Sequence, residues 1–247
     1  MRQVATLCER LDWDSRFFGL SIARAVPSRV DLLTRDAILD WCRTKGIDCL
    51  YLLADEDADT MRVLEDAMFL RVDDRVTLEL QPIPPASSPH SDTRAARQSD
   101  IAALRNIAAF SHLDSRFYND WHFDRGRCDE LYRVWLERSC QGWADHVVVV
   151  ERDANAVGYL TVHLSEPHTA SIGLVGVDPA YRRQGIGAHL LDGALAWISG
   201  QSVRRVRAAT QGRNVASHGF FHKAGFRPTG RAIWYHRWFS PSADTAS

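Results

Sequence analysis

The sequence predicts an α/β (α+β) fold in two parts: a small α/β N-terminal domain, then a larger domain built on a mixed, mainly antiparallel sheet. Three observations predict it. Helix-period and strand-period stretches alternate along the chain, a proline- and serine-rich segment interrupts them once, and late in the chain an apolar strand runs into a glycine-rich turn and a helix. At 247 residues, 45% hydrophobic and 25% charged, the chain has the balance of a globular protein with a sizeable core.

In the first part, residues 22–26 read as extended, 34–44 as a helix and 49–53 as a short buried strand. A second helix over 57–67 precedes residues 69–71 and the alternating Val72, Val76, Leu78 and Leu80, which predict a strand pair. Residues 81–91 then hold four prolines and three serines with little to bury, the composition of an extended linker. The N-terminal domain is therefore expected over 1–81, the linker over 82–92 and the second domain over 93–239.

The second domain opens with a strand over 93–97, after which Ser99 and Asp100 cap a helix carrying Ile101, Leu104, Ile107 and Ala108 on one face. A helix over 129–140 places Leu131, Val134, Trp135 and Arg138 at helical spacing, with Gly142 beyond its end. Residues 146–151, 157–164 and 169–177 are three extended runs with short turns between them, hence an antiparallel meander. Further on, 203–210 reads as a strand, Asn214 caps a helix over 215–224, Gly225 ends it, and 234–239 is the last strand. The polar tail 240–247 is expected to be disordered.

Charge and composition exclude several functions. Thirty basic and 31 acidic residues give a net charge of -1, so no global field draws nucleic acid or a membrane to the protein, and neither is expected as a partner. The first residues carry charges where a signal peptide needs an apolar centre, and a cytoplasmic protein is expected. The five cysteines are odd in number and form no Cys-x-x-Cys pair, and the ten histidines form no ligand motif, so no metal is expected. The sequence leaves the oligomeric state open, a homodimer included.

The stretch 175–188 carries the strongest chemical signal. Pro179 stops the preceding strand, Arg182 and Arg183 bring positive charge, and Gly185 and Gly187 let backbone N–H groups approach a ligand. Leu190, Leu191, Ala194, Leu195 and Ile198 follow at helical spacing, so the positive end of a helix dipole points at the turn. Together these predict an anion site. The nucleoside-triphosphate and dinucleotide patterns of glycine-rich loops are both missing from it.

Arg182-x-x-Gly185-x-Gly187 after a strand ending in Val-Asp-Pro resembles the acyl-coenzyme A pyrophosphate loop of the GCN5-related N-acetyltransferase (GNAT) superfamily. Asn214, followed by Phe221 and Lys223-Ala-Gly-Phe226, resembles that superfamily's closing motif. The resemblance covers about 93–239. Within the superfamily, residues 11–19 and 115–118 look like acetyltransferases of nucleotide-linked amino-deoxysugars.

The resemblance implies an acetyl-CoA-dependent N-acetyltransferase whose small-molecule acceptor is a nucleotide-linked amino sugar. It implies that Val175 and Val177 pair with the pantetheine arm, and that the N–H of Leu174 or Val175 polarises the thioester carbonyl. Arg182, Arg183, Gln184, Gly185, Ile186, Gly187 and Ala188 would take the pyrophosphate, with Asn214 and Phe221 completing the cofactor site. The family often has Tyr where Phe221 stands, and Phe cannot donate a proton. Either the thiolate leaves unprotonated or takes the amine's proton, or a neighbour substitutes: Ser217 and His218 share the helix face of Phe221, and His218 is the candidate acid, with a partly exposed helix histidine of no catalytic role as the alternative reading. Glu166 and His168 are either a proton relay or a solvated turn. Phe17, Arg116, Phe117, Tyr118 and Trp121 are candidates for acceptor binding, with core packing as the alternative reading. An acceptor of another kind, such as an amino acid, a polyamine or a protein N-terminus, and a non-catalytic acyl-CoA-binding role both stay open.

Overall fold

The computed structural model describes residues 6–85, 90–166 and 168–239. In chain order the elements are β1 (Cys8–Arg10), α1 (Asp12–Phe18), β2 (Ile22–Ala25), α2 (Leu32–Lys45), β3 (Cys49–Asp55), α3 (Ala58–Asp66) and β4 (Leu70–Leu80). There follow β5 (Thr93–Ala95), α4 (Ile101–Ala109), α5 (Arg125–Arg138), β6 (His146–Arg152), β7 (Asn155–Glu166) and β8 (Thr169–Val177). The chain closes with α6 (Ile186–Ser199), β9 (Arg205–Gln211), α7 (Val215–Lys223) and β10 (Arg227–Trp238). Among the described residues, no helix is long and apolar enough to cross a membrane.

The chain forms two compact units, 1–75 with 231–247, and 76–230. This differs from division at a linker. The expected strand pair over 69–80 is the single strand β4, and the expected short final strand is the longer β10, so both elements run from one unit into the other. Residues 86–89 of the expected linker and the tail 240–247 lie outside the described residues. Of the linker, Ile83 packs against the core of the second unit, so that part of the segment is not a free spacer.

In the first unit β1 pairs antiparallel with β2, β2 parallel with β3, and β3 antiparallel with β10 from Cys49↔Trp238 to Asp55↔Ala232. Its core joins Ile38, Leu39 and Cys42 of α2, Val63 and Leu64 of α3, and Leu50, Leu52 and Tyr235 from the strands. Helices α2 and α3 start where Asp31 and Asp57 accept the N–H groups of Thr34 and Thr60, a side-chain cap on donors that have no partner within the helix.

In the second unit β5, β6, β7 and β8 form an antiparallel run, and β9 adds to β8 in parallel. The turn between β6 and β7 holds Asp153 and Ala154 at φ 51° and 62°, the left-handed pair that a two-residue hairpin of this twist requires. Side chains alternate across the sheet. Val148, Val150, Leu160 and Val162 face Leu190, Leu191, Ala194 and Ile198 of α6, whereas Tyr159 faces the opposite side, where His112 and Tyr132 stand. Truncating a fully buried α6 leucine such as Leu190 would cost about 2–5 kcal/mol.

Candidate active site

Strand β8 is paired on both sides over only part of its length. Its ladder with β9 runs from Thr169↔Arg205 to Ile172↔Ala208 and stops there, while both strands continue. On its other side the ladder with β7 steps from Leu160↔Val175 to Val162↔Ile172, so two residues, Gly173 and Leu174, stand against Thr161 alone. Such a bulge bends the strand and re-aims what it carries.

The bulge decides which backbone groups are available. Leu174 N–H donates to Thr161 Oγ1 at 2.8 Å, and Asp178 N–H donates to Val157 O at 2.9 Å, both toward β7. Backbone groups alternate sides along a strand, so those of Val175 and Val177 point into the opening beside β9. Of the two proposed carbonyl-polarising donors, Leu174 N–H is therefore already engaged, and Val175 N–H is the one directed into the opening. Arg182 Nε reaches the Val177 carbonyl at 3.1 Å, and its Nη2 reaches the Phe110 carbonyl at 3.4 Å. The structure thus places Arg182 as a strut between backbone carbonyls at the strand's end.

Beyond β8, Asp178 Oδ1 accepts the Ala180 N–H and starts a short 3-10 turn over Pro179–Tyr181. Arg183 and Gly185 then hold φ of 62° and 80°. A left-handed arginine is strained by about 1 kcal/mol or more, and that strain sits in the loop that leads into α6. Helix α6 begins at Gly185 with no side-chain cap. Ala188 N–H is bonded to Gly185 O at 2.9 Å, which leaves Ile186 and Gly187 ahead of it as first-turn donors. Arg182, Arg183, Gln184 and Gly185 are exposed, and Gln184 Nε2 donates back to Ala180 O at 3.1 Å. A Cβ at Gly187 would come within 3.3 Å of the Phe220 ring. The loop has the form of an anion cradle: uncapped N–H groups, glycine at the point of closest approach, positive charge alongside and a helix dipole behind. A coenzyme pyrophosphate fits those donors.

The predicted residues on α7 separate. Asn214 caps the helix, with Oδ1 accepting Ser217 N–H at 2.9 Å. His218 Nε2 lies 3.1 Å from Gln211 O, which ties α7 to the end of β9. Phe221 is 4% exposed and packs in the core, its ring 5.0 Å from that of Phe226. It is Phe220, one position and about 100° earlier on the helix, that lies against the loop at Gly187.

The acceptor candidates also divide. Phe117 is a core residue at 2% exposure, with the Arg116 guanidinium 4.6 Å above its ring. Tyr118 donates to Asp129 at 2.6 Å. Trp121 is 80% exposed and stacks on His122. Phe17 belongs to the first unit, where its ring stacks on Trp13 at 5.1 Å. His168 lies at the start of β8, at the other end of the strand from the cradle, with Nδ1 2.6 Å from Ser202 O. It reads there as turn structure.

Two features escaped the sequence reading. His112 Nε2 lies 2.9 Å from the hydroxyl of the fully buried Tyr159, whose ring is so close to Gly176 that a Cβ there would stand 2.6 Å from it. Loss of hydration pushes the His112 pKa down to about 4 and the Tyr159 pKa well above its usual range, so this pair under β8 is uncharged at neutral pH. The other is His163, half-buried on β7 beside the bulge, with its pKa lowered by burial. No motif marks either residue. His163 has as its only sequence signal a polar side chain on the face of β7 that also carries Tyr159, and His112 lies in the segment between α4 and α5, where no pattern marks it.

Residues 107–226 match the model of the Acetyltransferase (GNAT) family. The chain is 28% identical over 232 residues to dTDP-fucosamine acetyltransferase of Escherichia coli O6:H1, covering 93% of this chain and 97% of that one. It is 28% identical over 139 residues to the spore coat polysaccharide biosynthesis protein SpsD of Bacillus subtilis, covering 56% of this chain and 48% of that one. A GCN5-related N-acetyltransferase from Sphaerobacter thermophilus shares the fold, with a TM-score of 0.63 over 96% of this chain and 78% of that one at 16% identity.

Proposed function

Since the chain belongs to the acetyltransferase (GNAT) family and is an N-acetyltransferase, we propose that it transfers the acetyl group of acetyl-CoA to the amine of a nucleotide-linked amino sugar. The observation that carries this reading is the half-opened strand β8 ending at an uncapped, glycine-started helix. An extended arm laid along the strand would meet the backbone groups of Val175 and the N–H of Val177, whose carbonyl Arg182 already holds, and a diphosphate would meet the first-turn donors Ile186 and Gly187 with Arg183 alongside. The acceptor class rests on the similarity to dTDP-fucosamine acetyltransferase, which runs through both units of the chain.

Acetyl-CoA supplies an acetyl group already activated as a thioester. The chain's part is to hold both reactants in line, because positioning alone removes much of the barrier between an amine and a thioester. Val175 N–H, directed into the opening, would hold the carbonyl oxygen as negative charge builds on it. Phe221 supplies no acidic proton and is enclosed by the core, so the departing sulfur takes its proton from elsewhere.

The test is thiol release from acetyl-CoA against a panel of dTDP-fucosamine, other nucleotide amino sugars, free amino acids, polyamines and peptides. Release with a nucleotide amino sugar at the highest kcat/KM is expected. Release confined to amino acids, polyamines or peptides would replace the acceptor class, and acetyl-CoA binding without release on any amine would contradict an enzymatic role.

A further inference from the structure

The bulge in β8 brings a side chain to the opened strand that neither the anion cradle nor the core uses. His163 pairs with Ser171 in the β7/β8 ladder, and its ring lies over the bulge: a Cβ on Gly173 would stand 2.9 Å from His163 Nε2 and 2.7 Å from Thr161 Oγ1. Glycine at 173 is thus what gives the imidazole its place. Gly173 is itself exposed, so the position is reachable by a ligand. The same bulge commits Leu174 N–H to Thr161 and leaves Val175 N–H facing the opening, one residue farther along the strand.

The surroundings keep this imidazole neutral and directed. Burial lowers its pKa, while the Asp145 carboxylate and a hydrogen bond to the Trp143 backbone carbonyl act the other way and are outweighed. Asp145 Oδ2 is engaged by Leu164 N–H at 2.7 Å. The exposed indole of Trp143 meets the ring edge-on, with centroids 5.6 Å apart. Ser171 and Ser165 bond to each other at 3.0 Å, and His112, on the same face, is held by Tyr159. A neutral imidazole that donates one N–H to a carbonyl keeps a lone pair on its other nitrogen.

We propose that His163 is the general base of the transfer, accepting a proton from the ammonium group of the acceptor at the β8 bulge, with Trp143 as the apolar wall beside it. The inference rests on the N-acetyltransferase reading above. An ammonium has no lone pair to attack with. His163 removes one of its three protons; the freed pair forms the C–N bond to the acetyl carbon; the C–S bond breaks; a second nitrogen proton leaves with the sulfur as free thiol, and the third stays on the amide. His163 returns its proton to water.

The test uses acetyl-CoA and dTDP-fucosamine, or the panel amine with the highest kcat/KM. In the wild type kcat/KM should rise with pH through a base titrating below the ordinary histidine value of 6.5. His163→Gln should remove that limb and lower kcat about 100-fold, with acetyl-CoA affinity by calorimetry within twofold. Gly173→Ala, which displaces the ring, should lower kcat in the same direction. A readout independent of turnover is the His163 C2 proton in the NMR spectrum, identified by its loss in His163→Gln; it should titrate below 6.5 and shift when the amine is added. A wild type that binds acetyl-CoA but acetylates no amine overturns the acetyltransferase reading and this inference with it. An active wild type whose limb and kcat survive in His163→Gln, or a His163 signal that titrates above 7, overturns the inference alone.

Discussion

Helices α6 and α7 belong to the same unit and begin in opposite ways. Asn214 closes the start of α7 by accepting Ser217 N–H, whereas α6 starts at a left-handed glycine with no side chain on its first-turn donors. The caps of α2, α3 and α5, Asp31, Asp57 and Asp124, add negative charge to the closed kind. A capped start satisfies its N–H groups internally and repels an anion if the cap is acidic; an uncapped start leaves the donors to water or to a ligand. The same contrast runs along β8. Its β7 side is closed at Thr161, Tyr159 and His112, and its β9 side is open beyond Ile172. Binding is therefore expected to depend on the open features, and stability on the closed ones.

The largest expected effect lies at the open start. Gly187→Glu would put a carboxylate among the α6 donors and press on Phe220, so acetyl-CoA affinity measured by calorimetry should fall at least 100-fold, about 2.7 kcal/mol. Unchanged affinity in a folded variant would remove the cradle from the account.

On the closed side, His112 should make stability depend on pH. Its folded pKa is near 4 against an ordinary 6.5, so between those values the unfolded chain binds a proton that the fold excludes. Stability then decreases as pH falls through this window, by about 2 kcal/mol once the part of the residue that water still reaches is discounted. Urea unfolding of His112→Phe from pH 7 to pH 4 should show a shallower loss than the wild type; identical slopes would assign acid sensitivity to other groups.

The smallest effect belongs to the closed helix start. Asn214→Ala should cost about 1 kcal/mol of stability in thermal or denaturant unfolding and leave acetyl-CoA affinity within about twofold. A large loss of affinity with no loss of stability would make Asn214 a ligand contact instead of a cap.

The parts of this molecule that sequence reveals are those whose chemistry is local. Pro179, Gly185 and the α6 periodicity show the turn and the helix because each residue's own backbone preference decides the matter. The start of α7 at Asn214 was legible for the same reason. Helix α1 is not legible, because its seven residues include no buried one and no periodicity marks it. Strand β4 reads as two in the sequence because Asp73, Asp74 and Arg75 interrupt its apolar alternation, and the ladder between β10 and β3 joins residues some 180 positions apart, a separation that no local pattern encodes. At the site, the closing helical motif leaves two adjacent aromatics whose directions only packing fixes: Phe221 is enclosed by the core, and Phe220 lies against the loop at Gly187. His163 needed the bulge to give it meaning, and a bulge is a difference between two strands that neither strand shows alone.

Amide NMR of the 15N-labelled protein titrated with acetyl-CoA compares the two helix starts in one experiment. The account predicts that the N–H signals of Val175, Val177 and Arg183 to Gly187 shift on binding, and that Ser217 N–H, held by the Asn214 cap, stays in place. Shifts centred on the start of α7, or a titration that leaves the Gly185 and Gly187 amides unmoved, would contradict it.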